Sequence, residues 1–331
     1  MMHKVLLIRF SAIGDLLLTA PVIRELKKEG AHITLMVKDQ FRTTAALLEG
    51  VDTLLSWEKD SKALLKTAAS EYHRIIDLQG TAQSKRYVRK IKLPTSSFKK
   101  PYLRRMFLLL TRSKTFALTP VVERYAEAAG VMLSKDKVAF NLPDLADFEG
   151  KIVAVIGGSH EGKRLSAKQW LEILKSQSQE ELVLLGGPGD KELAQEIRQE
   201  LPECTDVTHT TIEEGMAIVS EAKLVISGDT GFMHAAALMH VPLISLWGAT
   251  HPMLGFGPWP PQKNQREVIT KGKTPLSKHG KVPQYASNPM RELDTEEVKS
   301  AIAEILQGRT CLLYTSPSPR DLSTSRMPSS A

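Results

Sequence analysis

Two tandem series of strand–helix units predict an α/β protein made of two doubly wound, parallel-sheet domains. Three observations carry this. Short apolar runs such as Lys4–Arg9 and Lys151–Ile156 read as strands buried on both faces. Each is followed by a tight, glycine-containing loop and then by a segment with helical spacing. The alternation stops near Leu142–Gly150 and then restarts, which in 331 residues fits two domains facing a central cleft.

In the first series, Lys4–Arg9 is a strand and Phe10–Asp15 a tight loop. Leu16–Glu29 has helical spacing and is closed by Gly30. His32–Val37 is the next strand, Arg42–Leu48 a short helix, Val51–Ser56 a short strand and Lys59–Ser70 a helix. Arg74–Leu78 is a strand ending in Gln79-Gly80, and Val121–Gly130 is the last helix. Leu142–Gly150, with Pro143 and Asp144, reads as a linker. The first domain is thus expected over residues 1–145.

In the second series, Lys151–Ile156 leads into Gly157-Gly158-Ser159, and Ala167–Ser176 is a helix. Glu181–Leu185 is a strand ending in Gly186-Gly187-Pro188-Gly189, and Glu192–Glu200 and Thr211–Ser220 are helices. Leu224–Ser227 is a strand, Gly228–Gly231 a loop, Phe232–Met239 a helix and Leu243–Leu246 a strand. Thr295–Leu306 is a terminal helix with Asp294 as its N-cap. The second domain is expected over residues 146–308. Residues 309–331 are rich in Ser, Thr and Pro and aperiodic, and they resemble a translated sequencing-adapter tail. They are expected to be disordered or artefactual, with the natural C-terminus hidden behind them.

Composition narrows the class. Hydrophobic content of 42% and charged content of 24% belong to a globular chain. Two cysteines, Cys204 and Cys311, cannot make a disulfide framework or a thiolate zinc site. The longest apolar runs, such as Val5–Ile8 and Met106–Leu110, are too short to cross a bilayer. The opening lacks the cationic lead and longer apolar stretch of a secretory signal. A reduced, cytoplasmic protein is expected.

Gly228-Asp229-Thr230-Gly231 joins a strand to a helix and is followed by His234. Its first-turn N–H groups suit a phosphate, and a turn capped by Asp229 or Thr230 is the plainer reading of the loop alone. Gly157-Gly158-Ser159 followed by Lys163-Arg164 is a second candidate anion site. It lacks the Gly-Lys-Ser/Thr ending of a P-loop, and Ser11–Asp15 holds one glycine where a dinucleotide fingerprint needs three. Asp15 precedes a helix and fits either an N-cap or a general base.

The total of 44 Lys+Arg against 37 Asp+Glu gives +7. Lys85–Lys114 holds eleven cations and no acid, so the rest of the chain sums to −4. Within it, Pro101–Leu110 mixes Arg104 and Arg105 with a dense apolar stretch. That suits an anionic, partly apolar ligand or a membrane surface, with a solvated charged face as the plainer reading. Nucleic acid is not expected as a partner, because no binding module or aromatic stacking pattern accompanies the charge.

These loops resemble the heptosyltransferases of lipopolysaccharide core synthesis. Arg9–Asp15 with Pro21 resembles the family's opening signature, and Asp77–Gly80 its internal strand-end motif. Lys163-Arg164 after Gly157–Ser159 resembles the phosphate-contacting segment. Gly228–Gly231, His234, Ala235-Ala236, Pro242 and Trp247–Pro252 resemble the carboxyl-domain signature. The sequence departs from the pattern at Leu165-Ser166, where the family usually has Trp-Pro, and in the family's histidine-rich or arginine-bearing acceptor elements, which have no secure match here.

The resemblance implies a GT-B architecture of two Rossmann-like domains, and inverting transfer from a nucleotide-activated heptose, usually ADP-heptose, to an inner-core acceptor. It assigns Asp15 as the base. Donor binding falls to Ser159, Lys163, Arg164, Gly186, Asp229, Thr230, Gly231 and His234. Acceptor binding is expected of Ser11, Gly14, Gln79, Arg104 and Arg105. No cofactor and no metal are expected. The implied partners are a nucleotide-sugar donor, a phosphorylated lipid-linked sugar acceptor and an anionic membrane surface, which puts the protein in the cytoplasm or peripherally on the inner face of the bacterial inner membrane. A different class remains open: a non-catalytic nucleotide-sugar or anion-binding module acting as a membrane-surface adaptor.

Overall fold

The computed structural model describes residues 3–314. The first half holds strands β1 (His3–Ile8), β2 (Ala31–Val37), β3 (Thr53–Ser56), β4 (Arg74–Asp77) and β5 (Thr95–Ser97), all parallel, in the order β3-β2-β1-β4-β5. Its helices are α1 (Ile13–Leu17), α2 (Ala20–Lys28), α3 (Arg42–Ala46), α4 (Trp57–Glu71), α5 (Ala82–Ile91), α6 (Tyr102–Thr111) and α7 (Val121–Ala129). The second half holds β6 (Ile152–Val155), β7 (Leu182–Leu185), β8 (Thr205–Asp206), β9 (Leu224–Gly228), β10 (Leu243–Trp247) and β11 (Gln265–Ile269), in the order β11-β10-β9-β6-β7-β8. Its helices are α8 (Ala167–Leu174), α9 (Lys191–Glu200), α10 (Ile212–Glu221), α11 (Gly231–Leu238) and α12 (Thr295–Tyr314).

Both sheets reverse strand order at their first strand, and each carries its ligand loops at the carboxyl ends. Central strands explain why the apolar runs are continuous. Leu7 lies opposite Leu35 on one side and Ile76 on the other, and all three are buried. The largest apolar cluster draws on both halves, joining Leu16 and Leu17 of α1 to Met216 of α10 and Met233 of α11. The two halves therefore share a core where α1 packs on α11 and α3 on α10.

Several boundaries differ from the sequence reading. The single helix expected over Leu16–Glu29 is two. The chain leaves α1 at Leu18–Thr19, where the Thr19 hydroxyl donates to the Leu16 carbonyl at 2.6 Å. Pro21 then sits in the first turn of α2, where its missing N–H leaves nothing unpaired. Ile13 through Asp15, expected in the loop, already belong to α1. The strands β5, β8 and β11 carry too little apolar pattern to read: β5 is Thr-Ser-Ser, and in β11 only Val268 is buried. Asp294 does cap α12, accepting from the Glu296 and Glu297 N–H groups at 3.1 and 3.2 Å. That helix runs on to Tyr314 rather than stopping at Leu306. Residues 315–331 of the expected tail lie outside the described residues.

Candidate active site

A cavity of about 450 Å³ opens between the carboxyl ends of the two sheets. Asp15 and Gly14 face it from the first half. Ser159, Lys163, Gly186, Asp229, Thr230, Gly231 and His234 face it from the second. Nine of the residues singled out from sequence, spread over more than two hundred positions, thus meet in one place.

Asp15 is the third residue of α1 and does not cap it; the N-cap is Ala12, which makes no side-chain bond. Both of its carboxylate oxygens are engaged. Arg9, at the end of β1, forms an ion pair with Oδ2. The buried Tyr125 hydroxyl, from α7, donates to Oδ1 at 3.2 Å. Arg9 is itself fixed by donating to the Leu78 carbonyl at 2.8 Å, with its guanidinium 5.5 Å from the Tyr125 ring centre. Burial pushes the Tyr125 phenol well up, so it stays protonated and can only donate towards a carboxylate. Asp15 keeps a quarter of its side-chain surface, on the cavity side, and a carboxylate oxygen with one bond still has a free lone pair.

Gly14 explains how the two halves come so close. A Cβ there would lie 2.8 Å from His234 Cδ2, and one on Gly231 would lie 2.7 Å from Ile13 Cγ2. The first turns of α1 and α11 therefore cross at backbone contact, and both open on the cavity. His234 is 4% exposed, and burial lowers its pKa against the pull of Asp229 and Asp15. It is neutral, and its Nδ1 is buried without a hydrogen-bond partner among the described residues. Buried as it is, that atom does not reach the cavity, and the imidazole contributes to the wall by packing against Gly14.

Thr230 is the N-cap of α11, accepting from the Met233 N–H at 3.3 Å, so the capping role weighed for it is met. Asp229 has another task. Its carboxylate binds Lys163 Nζ at 2.7 Å, and its carbonyl accepts from the same ammonium at 3.0 Å. Lys163 is roofed by the irregular segment after β11: Gly280, at φ +83°, would drive a Cβ to 2.6 Å from Lys163 Cγ. That segment is tied down by the Leu276 N–H donating to the Ala249 carbonyl at 2.9 Å. Arg164 does not line the cavity. It pairs with Asp190, whose Oδ2 also accepts from the Gly187 N–H at 2.9 Å, so it braces the glycine turn after β7.

The expected acceptor residues other than Gly14 lie off the cavity wall. Gln79 uses its side-chain carbonyl to hold the Phe10 N–H at 3.1 Å. Ser11 sits in the loop beside it. Arg104 donates to the Ala117 and Thr115 carbonyls at 3.0 and 2.9 Å, stapling α6 to the turn that follows. Arg105 lies over the Tyr102 ring at 5.1 Å, in a separate groove. Asp77 is fully buried and binds the Gln79 and Gly80 N–H groups, both at 3.0 Å, and the Ser84 hydroxyl at 2.8 Å; it shapes its turn.

Sequence reasoning missed the cations that surround Asp15. Lys278 and His279 line the cavity from the segment after β11. Lys100 is half-buried, and its pKa is pushed down to about 8 by burial and by Arg9 and Lys278, against Asp15 and Asp77. Burial also lowers Lys278 and Arg124, each with other cations nearby. Lys100 was visible only as one charge in a basic run, and Lys278 lies in a segment with no periodicity. Among the described residues, no three His, Cys, Asp or Glu side chains group as a metal site would require.

Residues 61–285 match Glycosyltransferase family 9 (heptosyltransferase). The chain belongs to that family. Lipooligosaccharide heptosyltransferase 2 of Haemophilus influenzae is 32% identical over 94 residues, 27% of this chain and 26% of that protein. The chain thus spans about a quarter of the length of that relative. A glycosyltransferase family 9 structure from Veillonella parvula has a TM-score of 0.69 at 20% identity, covering 92% of this chain and 98% of that one. The E. coli heptosyltransferase WaaC with ADP has a TM-score of 0.68 at 19% identity, covering 91% and 99%. E. coli ADP-heptose lps heptosyltransferase II has 0.67 at 18%, covering 93% and 99%. The fold of this family member is the GT-B fold of those heptosyltransferases. At the Leu165-Ser166 departure from the family pattern, Ser166 caps α8 through a reciprocal pair with Gln169.

Proposed function

We propose that this family member transfers a heptose, with inversion, from ADP-heptose to a lipid-linked inner-core acceptor of lipopolysaccharide. One observation carries the reading: Asp15 and the Lys163/Thr230–Gly231 wall face one cavity from opposite halves. E. coli WaaC, with the same fold, has been solved with ADP and with ADP-2-deoxy-2-fluoro heptose, which supports the donor.

Each group has a task. The acceptor hydroxyl attacks the anomeric carbon as the bond from that carbon to the diphosphate oxygen breaks. The hydroxyl proton passes to Asp15, and ADP leaves with the bonding pair. Arg9 and Tyr125 hold the carboxylate in one orientation, so it meets the hydroxyl without searching. Lys163 and the N–H groups at the start of α11 stabilise the charge that develops on the diphosphate. Because Lys163 is bound to Asp229, the donor competes with that carboxylate for the ammonium. Ser159, Gly186 and the His234 ring complete the donor wall. Lys100, Lys278 and Arg124 present positive charge to an anionic acceptor, and the basic segment around Arg104 and Arg105 faces the membrane that carries it. No helix among the described residues is long and apolar enough to cross a membrane.

The test is released nucleotide from a panel of sugar nucleotides with acidic, phosphorylated inner-core acceptors. ADP release should require a heptose donor and an acceptor together. Binding of donor without release under any pairing would favour the adaptor reading instead.

A further inference from the structure

Among the described residues, seven large apolar side chains are exposed, and five of them lie on α6: Tyr102, Leu103, Met106, Phe107 and Leu110. A surface helix normally turns its apolar stripe inward. On α6 the 103, 106, 107 and 110 spacing, one helical face, points outward, with Leu103 71% and Leu110 72% exposed. The inward side is held by Leu108, buried in a small cluster with Leu118 and Leu254. The apolar face is therefore displayed by a helix that is anchored from behind.

Arg104 and Arg105 on α6 and Arg112 at its end flank that face. Among the described residues, none of the eleven cations of Lys85–Lys114 is ion-paired with a carboxylate. A groove of about 530 Å³ beside α6 runs between Met106 and Arg112 on one side and Leu276 and Tyr285 on the other. Tyr285, a sixth exposed apolar residue, extends the face onto the second half. Arg105 lies near enough to Lys278 for their charges to repel, and Lys278 lines the cavity with Asp15. The face thus adjoins the acceptor side of the cleft.

We infer that α6 is an interfacial helix that sinks its Leu103–Leu110 face into the acyl region of an anionic lipid bilayer, with the surrounding cations on the headgroups. This deepens the proposed function, since it names the surface from which that site takes its acceptor. A second copy of the chain is a poor occupant, because it would bring two acid-free segments of eleven positive charges together. A bilayer of negative headgroups over apolar tails matches both features at once.

The experiment is sedimentation of the full chain with vesicles of phosphatidylglycerol and phosphatidylethanolamine, without any sugar nucleotide. Leu103→Ser with Leu110→Ser changes no charge and alters two side chains that support no core. Its partition should fall by about tenfold or more. Melting temperature, and turnover on a soluble acceptor lacking acyl chains, should match wild type. In Leu103→Trp, the added indole emission should be quenched by lipids brominated along the acyl chain. Unchanged partition in the serine variant, or an indole that the bromines do not reach, would overturn insertion and leave headgroup attraction alone. Loss of lipid-free self-association in the serine variant would assign the face to a dimer. Because partition is read without transfer, absent heptose transfer would sink the proposed function and leave this result standing.

Discussion

On the second half's wall of the cleft, Lys163 is bound to Asp229, so the cation meets a ligand already balanced. Around Asp15, Lys100 and Arg124 of the first half and Lys278 of the second crowd towards one carboxylate, which Arg9 already holds. The difference concerns selectivity. A balanced wall admits a ligand by exchanging partners, so geometry and the N–H groups of α11 decide what fits. An unbalanced one attracts any anion, and its charge, half-buried, is screened less by salt than a surface patch is. Donor recognition is accordingly expected to depend on shape, and acceptor recognition on charge.

The largest expected effect lies between the two walls. Asp15→Asn keeps the shape and the bond from Tyr125 but removes the proton acceptor. Initial rates at saturating donor and acceptor should fall by about 10²–10⁴. The Arg9 pair adds a consequence that a capping role would not have. Leaving that guanidinium without its carboxylate should cost about 1–2 kcal/mol, lowering the melting temperature by roughly 2–3 °C. A rate within threefold of wild type would remove Asp15 as the base.

Lys163→Ala comes next and tests the balanced wall. It removes the diphosphate contact and leaves Asp229 buried and unpaired, facing the ligand. Affinity for ADP in calorimetry should fall by about tenfold or more. Asp229→Asn, which frees Lys163, should weaken ADP much less. Equal losses would mean that Asp229 itself binds the donor, and the exchange picture would fail.

Tyr125→Phe should lower turnover by about threefold to tenfold, through a looser Asp15, with donor affinity unchanged. A matching change in donor affinity would show that the substitution had moved α1 against α11 rather than the carboxylate alone.

The smallest effect is on the unbalanced side. Lys100 has a pKa of about 8, depressed from 10.5, so it is fully charged only below that pH and loses its charge as pH rises through it. The acceptor KM should therefore rise about twofold to threefold between pH 7 and 9, with donor affinity flat. Lys100→Arg, charged throughout, should remove the rise. A KM that climbs equally in the arginine variant would place the titrating group elsewhere.

Local chemistry was enough to read much of this molecule. Central strands are buried on both faces, so they must be apolar throughout, and β1, β2, β6 and β9 could be read as such. Glycine-containing strand ends and the Thr230 cap mark where parallel sheets gather ligand loops, and nine of the chosen residues do meet there. What stayed hidden depends on partners distant in the chain. Pro21 divides a helix because of where the chain must turn, and β11 pairs through its backbone at a sheet edge, where no apolar pattern is required. Arg164 and Lys163 are adjacent cations, yet one braces a turn and the other faces the cavity, since Asp190 and Asp229 lie at different strand ends. The sequence by itself determined the two sheets, the cleft loops and the basic segment. Only the tertiary structure decided that Asp15 is held by Arg9 and Tyr125, that Lys278 comes within reach of it, and that α6 faces its apolar side outward. A side chain's type is written locally, whereas its partner and its exposure are set by whatever the rest of the fold brings beside it.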